Sequence, residues 1–157
     1  NTSKKFPERL SIITPYLAVK GAEAAIEFYK KVFGAKEVGR LIMQPDNKIG
    51  HAELAFGNAV LYLAEENPAW GNKSPTTVGG SPVTIALRVS DVDVTFQRAV
   101  AAGATVLEGV KDQFYGERAG GLIDPFGHRW FINTHIEDVS FEEMQKRCDA
   151  MLAAHNS

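Results

Sequence analysis

The sequence predicts an α+β fold built from two βαβββ modules and closed by a C-terminal helix. The first observation behind this is a repeat: Ile13 to Ala35, ITPYLAVKGAEAAIEFYKKVFGA, is echoed seventy residues later by Val83 to Ala104, VTIALRVSDVDVTFQRAVAAGA. The second is that each copy opens on an alternating apolar strand and runs into a helix whose apolar positions recur at spacings of four, three and four. These positions are Ala22, Ile26, Tyr29 and Phe33 in the first copy, and Val92, Phe96, Ala99 and Gly103 in the second. The third is a shared stop, Gly34-Ala35 and Gly103-Ala104, where glycine takes the left-handed geometry that ends a helix.

Residues 1–9 are polar and aperiodic, a loose lead-in. The first strand is predicted over Leu10 to Val19, with Ile13, Pro15, Leu17 and Val19 on one face and Thr14, Tyr16 and Ala18 on the other. A helix over Ala22 to Phe33 covers the apolar face. Strands follow over Lys36 to Gln44, Ile49 to Phe56 and Ala59 to Ala64, separated by the turns Pro45-Asp46-Asn47 and Gly57-Asn58. This first module spans residues 10–64. Residues 65–82, with prolines at 68, 75 and 82 and no periodicity, read as the linker.

The second module, residues 83–136, repeats the order. It has a strand Val83 to Val89 and a helix Val92 to Ala102 with Ser90 and Asp93 as a capping box. Strands Thr105 to Lys111, Arg118 to Ile123 and His128 to His135 complete it. Thr14 maps onto Thr84 at a shift of 70 and Tyr62 onto Phe131 at a shift of 69. In residues 137–157 a last helix runs from Ser140 to Ala154, capped by Ser140 and Glu143. Its stripe of Phe141, Met144, Cys148, Met151 and Leu152 calls for docking on the body or on a neighbouring chain.

Composition bounds the function classes. The 157 residues are 45% hydrophobic, enough for a packed interior, and the net charge of −2 is dispersed. No basic stripe supports a nucleic-acid partner, and no apolar run has the length of a membrane span. A single cysteine, Cys148, precludes an intramolecular disulfide and favours a cytoplasmic location.

The paired modules, with AAIEFYKKVFGA in the first and DPFGHRWFI in the second, resemble the vicinal oxygen chelate superfamily, which includes glyoxalase I, extradiol dioxygenases and bleomycin-binding resistance proteins. The string from Asp112 to Arg147 is similar to its PhnB-like branch. The resemblance covers residues 10 to 147. It implies curled mixed sheets with helices on the convex faces, commonly paired into a homodimer. It also implies that the His and Glu metal ligands of the metal-using members fall here on Thr14, Tyr62, Thr84 and Phe131. None of these is a usual ligand for a first-row divalent metal, which takes imidazole, carboxylate or thiolate at about 2.0–2.3 Å. No metal and no other cofactor is therefore expected.

The alternation places Thr14, Tyr16, His51, Glu53, Tyr62, Thr84, Arg88, Arg118, Phe131 and Asn133 on the cup-facing side, with Tyr115 near its mouth. Aromatic faces with a few charged and hydrogen-bonding groups suit a largely apolar or aromatic small molecule. These side chains equally suit filling the cup and pairing with one another. His51 and Glu53, two apart on one strand, share a face. Two readings stand for them: a catalytic base with its orienter, or a structural pair in which Glu53 meets Arg88 or Arg118. The functional expectation is a metal-independent small-molecule-binding protein. The alternative is a glyoxalase-like isomerase or lyase, or another enzyme of the superfamily, using His51 and Glu53 or a relocated metal.

Overall fold

The structure, a computed structural model, describes residues 12–157. Its first half contains β1 (Tyr16–Val19), α1 (Ala22–Phe33), β2 (Lys36–Met43), β3 (Ile49–Phe56) and β4 (Ala59–Glu65), then a 3₁₀ turn (Pro68–Trp70) and a short α2 (Pro75–Val78). The second half contains β5 (Thr84–Arg88), α3 (Val92–Ala101), β6 (Thr105–Asp112), β7 (Glu117–Ile123), β8 (Arg129–His135) and α4 (Phe141–His155). Each half builds one four-stranded mixed sheet, ordered β1-β4-β3-β2 and β5-β8-β7-β6. This is the α+β architecture expected from the repeat. One unit runs through Pro82 and takes in Pro125–His128; the other comprises Val83–Asp124 and Arg129–Ser157.

In the first unit β1 lies parallel to β4, and the other neighbours are antiparallel. Leu17, Val19, Ala52, Leu54, Leu61 and Leu63 form the buried side of this sheet, beneath the Ala22, Ile26, Tyr29 and Val32 stripe of α1. Full burial of each leucine is worth about 1.5–3 kcal/mol, so the helix side carries the stability and leaves the opposite face available for polar chemistry. Phe126, from the turn assigned to this unit, packs edge-on against Phe28 and Tyr29. His128 completes that turn by donating from Nε2 to the Ala18 carbonyl across 2.9 Å.

The strand expected from Leu10 begins only at Tyr16; residues 10 and 11 lie outside the described residues. Pro15 has no N–H to offer the ladder, although its carbonyl accepts the Tyr62 amide at 2.9 Å. Thr14 is consequently a half-buried residue ahead of the sheet rather than a strand position facing the cup. The 65–82 segment is also more ordered in its local structure than its lack of periodicity suggests. Glu66 anchors it, accepting from the Ser74 amide at 2.9 Å and the Thr77 hydroxyl at 2.7 Å.

α1 starts at Gly21 with no capping side chain of its own. The carboxylate of Glu65, at the end of β4, accepts the Ala22 amide at 2.7 Å and the Gly21 amide at 3.1 Å. The second unit repeats the device: Thr134, near the end of β8, accepts the Val92 amide at 2.9 Å. Its helix is capped locally by Asp91, whose Oδ1 accepts the Val94 amide at 3.2 Å. That replaces the expected Ser90–Asp93 box, because Asp93 is held instead by Arg118.

Trp130, Ile132 and Leu122 form the core of the second unit with Val92, Phe96 and Ala99 of α3. The Trp130 indole N–H donates to Asp124 across 2.8 Å. α4 begins as expected, with Ser140 accepting the Glu143 amide. Its apolar stripe stays near the surface: no α4 residue is buried, and Phe141 is 90% exposed. Arg147 ties the helix to Glu137 and to the Phe114 carbonyl. Among the described residues no helix is long and apolar enough to cross a membrane.

Candidate functional site

Four of the predicted site residues meet on one face of the first sheet. The register Tyr16↔Tyr62 joins β1 to β4, and Glu53↔Tyr62 joins β4 to β3. Since alternate strand residues share a face, His51 stands beside Glu53 on that same side. The rings of Tyr16, His51 and Tyr62 pack edge to face at centroid separations of 5.4, 5.5 and 4.9 Å. His51 and Glu53 are buried, whereas Tyr16 is 52% exposed. The cluster is thus closed beneath and open at the tyrosine.

Hydrogen bonds connect these groups in sequence. The Tyr16 hydroxyl lies 2.6 Å from His51 Nδ1, and His51 Nε2 lies 3.1 Å from Glu53 Oε1. Arg40 completes the chain from β2: its amide donates to Glu53 Oε2 at 3.0 Å and its Nε to Oε1 at 3.2 Å. Burial alone would raise the Glu53 pKa. The bonds from His51 and from the Arg40 amide and guanidinium outweigh it and hold the carboxyl below its ordinary range. For Tyr16, burial outweighs the lowering effect of the Arg40 charge and pushes the phenol pKa up, with Tyr62 and Glu53 acting in the same direction.

Arg40 is the residue that the sequence reading passed over; Glu53 meets it, and not Arg88 or Arg118. β2 is irregular between Val38 and Ile42, and Gly39 there has φ 64°. A bulge of this kind re-aims the backbone, here turning the Arg40 amide onto Glu53. The available signal was a glycine inside a strand pattern, KEVGRLIM.

Apart from Thr14, the remaining candidates belong to the second unit and form no comparable cluster. Arg88 pairs with Glu117 at 3.3 Å, and Thr84 is exposed at the start of β5. Phe131 lies opposite Ala86 and Gly121. Tyr115 occupies the β6–β7 turn against Phe114, with its phenol pKa raised by burial and then by Glu117 and Glu108. Asn133 is buried, and its Oδ1 has no hydrogen-bond partner among the described residues.

Arg118 departs from expectation. It faces α3, gripping Asp93 through Nε at 2.8 Å and Nη2 at 3.0 Å, and also holds Asp112. The parity is fixed by its neighbour two residues on: a Cβ at Gly120 would sit 2.8 Å from the Phe96 ring of α3.

The two ladders also show that the polar chain belongs to one copy. Tyr16↔Tyr62 corresponds to Ala86↔Phe131, and Glu53↔Tyr62 to Gly121↔Phe131. Ala86, Ala119 and Gly121 therefore stand where the first unit has Tyr16, His51 and Glu53.

The metal site implied by the resemblance does not fit these residues. At its four positions are two threonine hydroxyls, one phenol and a phenyl ring. Among the described residues no three His, Cys, Asp or Glu side chains converge. His51 and Glu53 are spent on each other, Tyr16 and Arg40.

Comparison with known proteins agrees with this fold. The family described as Glyoxalase/Bleomycin resistance protein/Dioxygenase superfamily matches residues 9–132. The chain is 45% identical over 136 residues to the uncharacterized protein Rv0887c of Mycobacterium tuberculosis, covering 85% of this chain and 79% of that one. TioX from Micromonospora sp. ML1 is similar in structure with a TM-score of 0.60 and 27% identity, over 80% of this chain and 99% of its own. The PhnB protein from Bacillus cereus gives a TM-score of 0.62 at 17% identity, over 79% and 99%, a likeness of fold alone.

Proposed function

Because the chain belongs to the glyoxalase/bleomycin resistance protein/dioxygenase superfamily, we propose that it is a metal-independent binding protein for a largely apolar or aromatic small molecule. The ligand lies on the first sheet against Tyr16 and Tyr62. One observation carries this reading: a half-exposed tyrosine sits over a buried His–Glu pair, which the exposed Arg40 ties to β2, beside a second aromatic ring. Such a surface offers a flat apolar contact with the Tyr16 hydroxyl as a polar handle and the exposed Arg40 guanidinium near it. Within the family we place the chain in the PhnB-like branch, from the Asp112 to Arg147 string, and assign it a cytoplasmic homodimer; a planar antibiotic is one ligand of the expected kind.

Thermal denaturation of the full chain against a panel of planar aromatic natural products tests the assignment, because a ligand held by the native state raises the midpoint. Tyr62→Ala is expected to abolish the shift. A ligand whose shift survives both Tyr62→Ala and Tyr16→Ala would place binding elsewhere.

The hydrogen-bonded His51–Glu53 pair also supports a second reading, metal-free acid–base catalysis on the bound molecule. It predicts turnover that Glu53→Gln abolishes while the fold survives.

A further inference from the structure

We propose that Tyr16 is the ligand-facing end of a proton-accepting chain, and that the bound molecule carries a phenolic or enolic hydroxyl that donates to the Tyr16 oxygen. This rests on the binding reading above for the ligand's position, and adds the ligand's polar group and the role of Tyr16.

The direction of each hydrogen follows from the Glu53 end. Both carboxylate oxygens accept from Arg40, and the group is held in its anionic form, so it has no proton to give. His51 Nε2, 3.1 Å from Oε1, must carry the hydrogen of that contact. A neutral imidazole with hydrogen on Nε2 has a bare Nδ1. With His51 as this neutral imidazole, the Tyr16 hydroxyl at 2.6 Å donates to Nδ1.

Tyr16 has spent its only hydrogen inward. What its half-exposed side turns outward is lone pairs, and its raised pKa keeps it a neutral phenol. A ligand carbonyl or ether oxygen meets lone pair with lone pair, while a ligand hydroxyl completes the chain. The same contacts permit transfer. As the ligand O–H proton passes to the Tyr16 oxygen, the Tyr16 proton passes to Nδ1. The products are a ligand oxyanion and a His51 imidazolium held between Tyr16 and Glu53. The groups around His51 are Tyr16 from β1, Tyr62 from β4, Glu53 on its own strand, and Arg40 and Ile42 from β2.

Para-nitrophenol and para-nitroanisole make the test, since they share a ring and differ by hydroxyl against methyl ether, and the nitrophenolate absorbs apart from its neutral form. The full chain is expected to bind para-nitrophenol about tenfold more tightly, the order of one well-placed hydrogen bond. Its bound spectrum should show phenolate at a pH where the free probe is mostly protonated. Tyr16→Phe should bring the two affinities level and remove the phenolate signal. Glu53→Gln, which still accepts from Nε2–H but removes the charge opposite the imidazolium, should keep the preference and lose the phenolate. Equal binding of both probes, weakened by Tyr62→Ala, would overturn this inference and leave the binding reading intact. So would a preference that survives Tyr16→Phe. Binding of neither probe would overturn both.

Discussion

The Arg40 amide donates to Glu53 across 3.0 Å, a bond that exists only because the intervening backbone turns through a left-handed glycine. Gly39 has φ 64°, and a Cβ there would run into the Glu53 carboxylate. Gly39→Ala therefore imposes both an unfavourable backbone conformation and a displaced carboxylate. The backbone part alone is worth about 1–2 kcal/mol. A urea titration should show a lower midpoint at unchanged slope, together with weaker ligand binding on the first sheet. An unchanged midpoint would mean that the bulge does not hold Glu53.

Glu53 also makes stability depend on pH with a definite sign. Its folded-state pKa lies below the ordinary value of 4.5, so the folded state holds the carboxylate more strongly than the unfolded chain does. That contribution is fully present above the ordinary glutamate range and is lost as the pH falls through the folded value. Unfolding free energies measured from neutral pH into this acid range should decline in the wild type. In Glu53→Gln they should decline less steeply from a lower starting point. Some slope remains, because Glu66, Asp93 and Glu137 are shifted in the same direction.

Where local signals agreed, the sequence was enough to define the elements. α1 runs from Ala22 to Phe33 as expected because glycines bracket its apolar stripe, and β3 runs from Ile49 to Phe56 because alternation and turns coincide. The gathering of Tyr16, His51, Glu53 and Tyr62 was likewise legible from strand parity.

Arg40 was not, because a bulge breaks the period-two rule in β2. The face of Arg118 was hidden for a different reason. Its strand reads ERAGGLI, and the two glycines remove the side chains whose alternation would have distinguished the faces. The cap of α3 turned on a competition invisible in one dimension, since Asp93 is drawn to Arg118 and leaves capping to Asp91.

Glu65 shows how the repeat stabilises its own helix entry. It reaches the first turn of α1 from the end of β4, combining a hydrogen-bond acceptor with a negative charge at the positive end of the helix. Glu65→Ala should cost about 0.5–2 kcal/mol, the usual loss on removing a cap. Glu65→Gln should recover the part due to hydrogen bonding. If both variants unfold at the wild-type midpoint, the carboxylate is not acting as the cap.

α4 bears on assembly. Phe141 is 90% exposed and Leu152 54% exposed, and with Met144, Cys148 and Met151 they follow the spacing of one helix face. Apolar side chains held together at a surface mark a contact site, and a second copy of the chain is the occupant assigned above. Light scattering at micromolar concentration should then give twice the 17.1 kDa chain mass. Phe141→Glu with Leu152→Glu should shift the mass to the monomer with helix content unchanged, because neither residue supports the core of its own unit. A wild-type chain that remains monomeric would refute the homodimer. A dimer indifferent to both charges would instead move the interface away from α4.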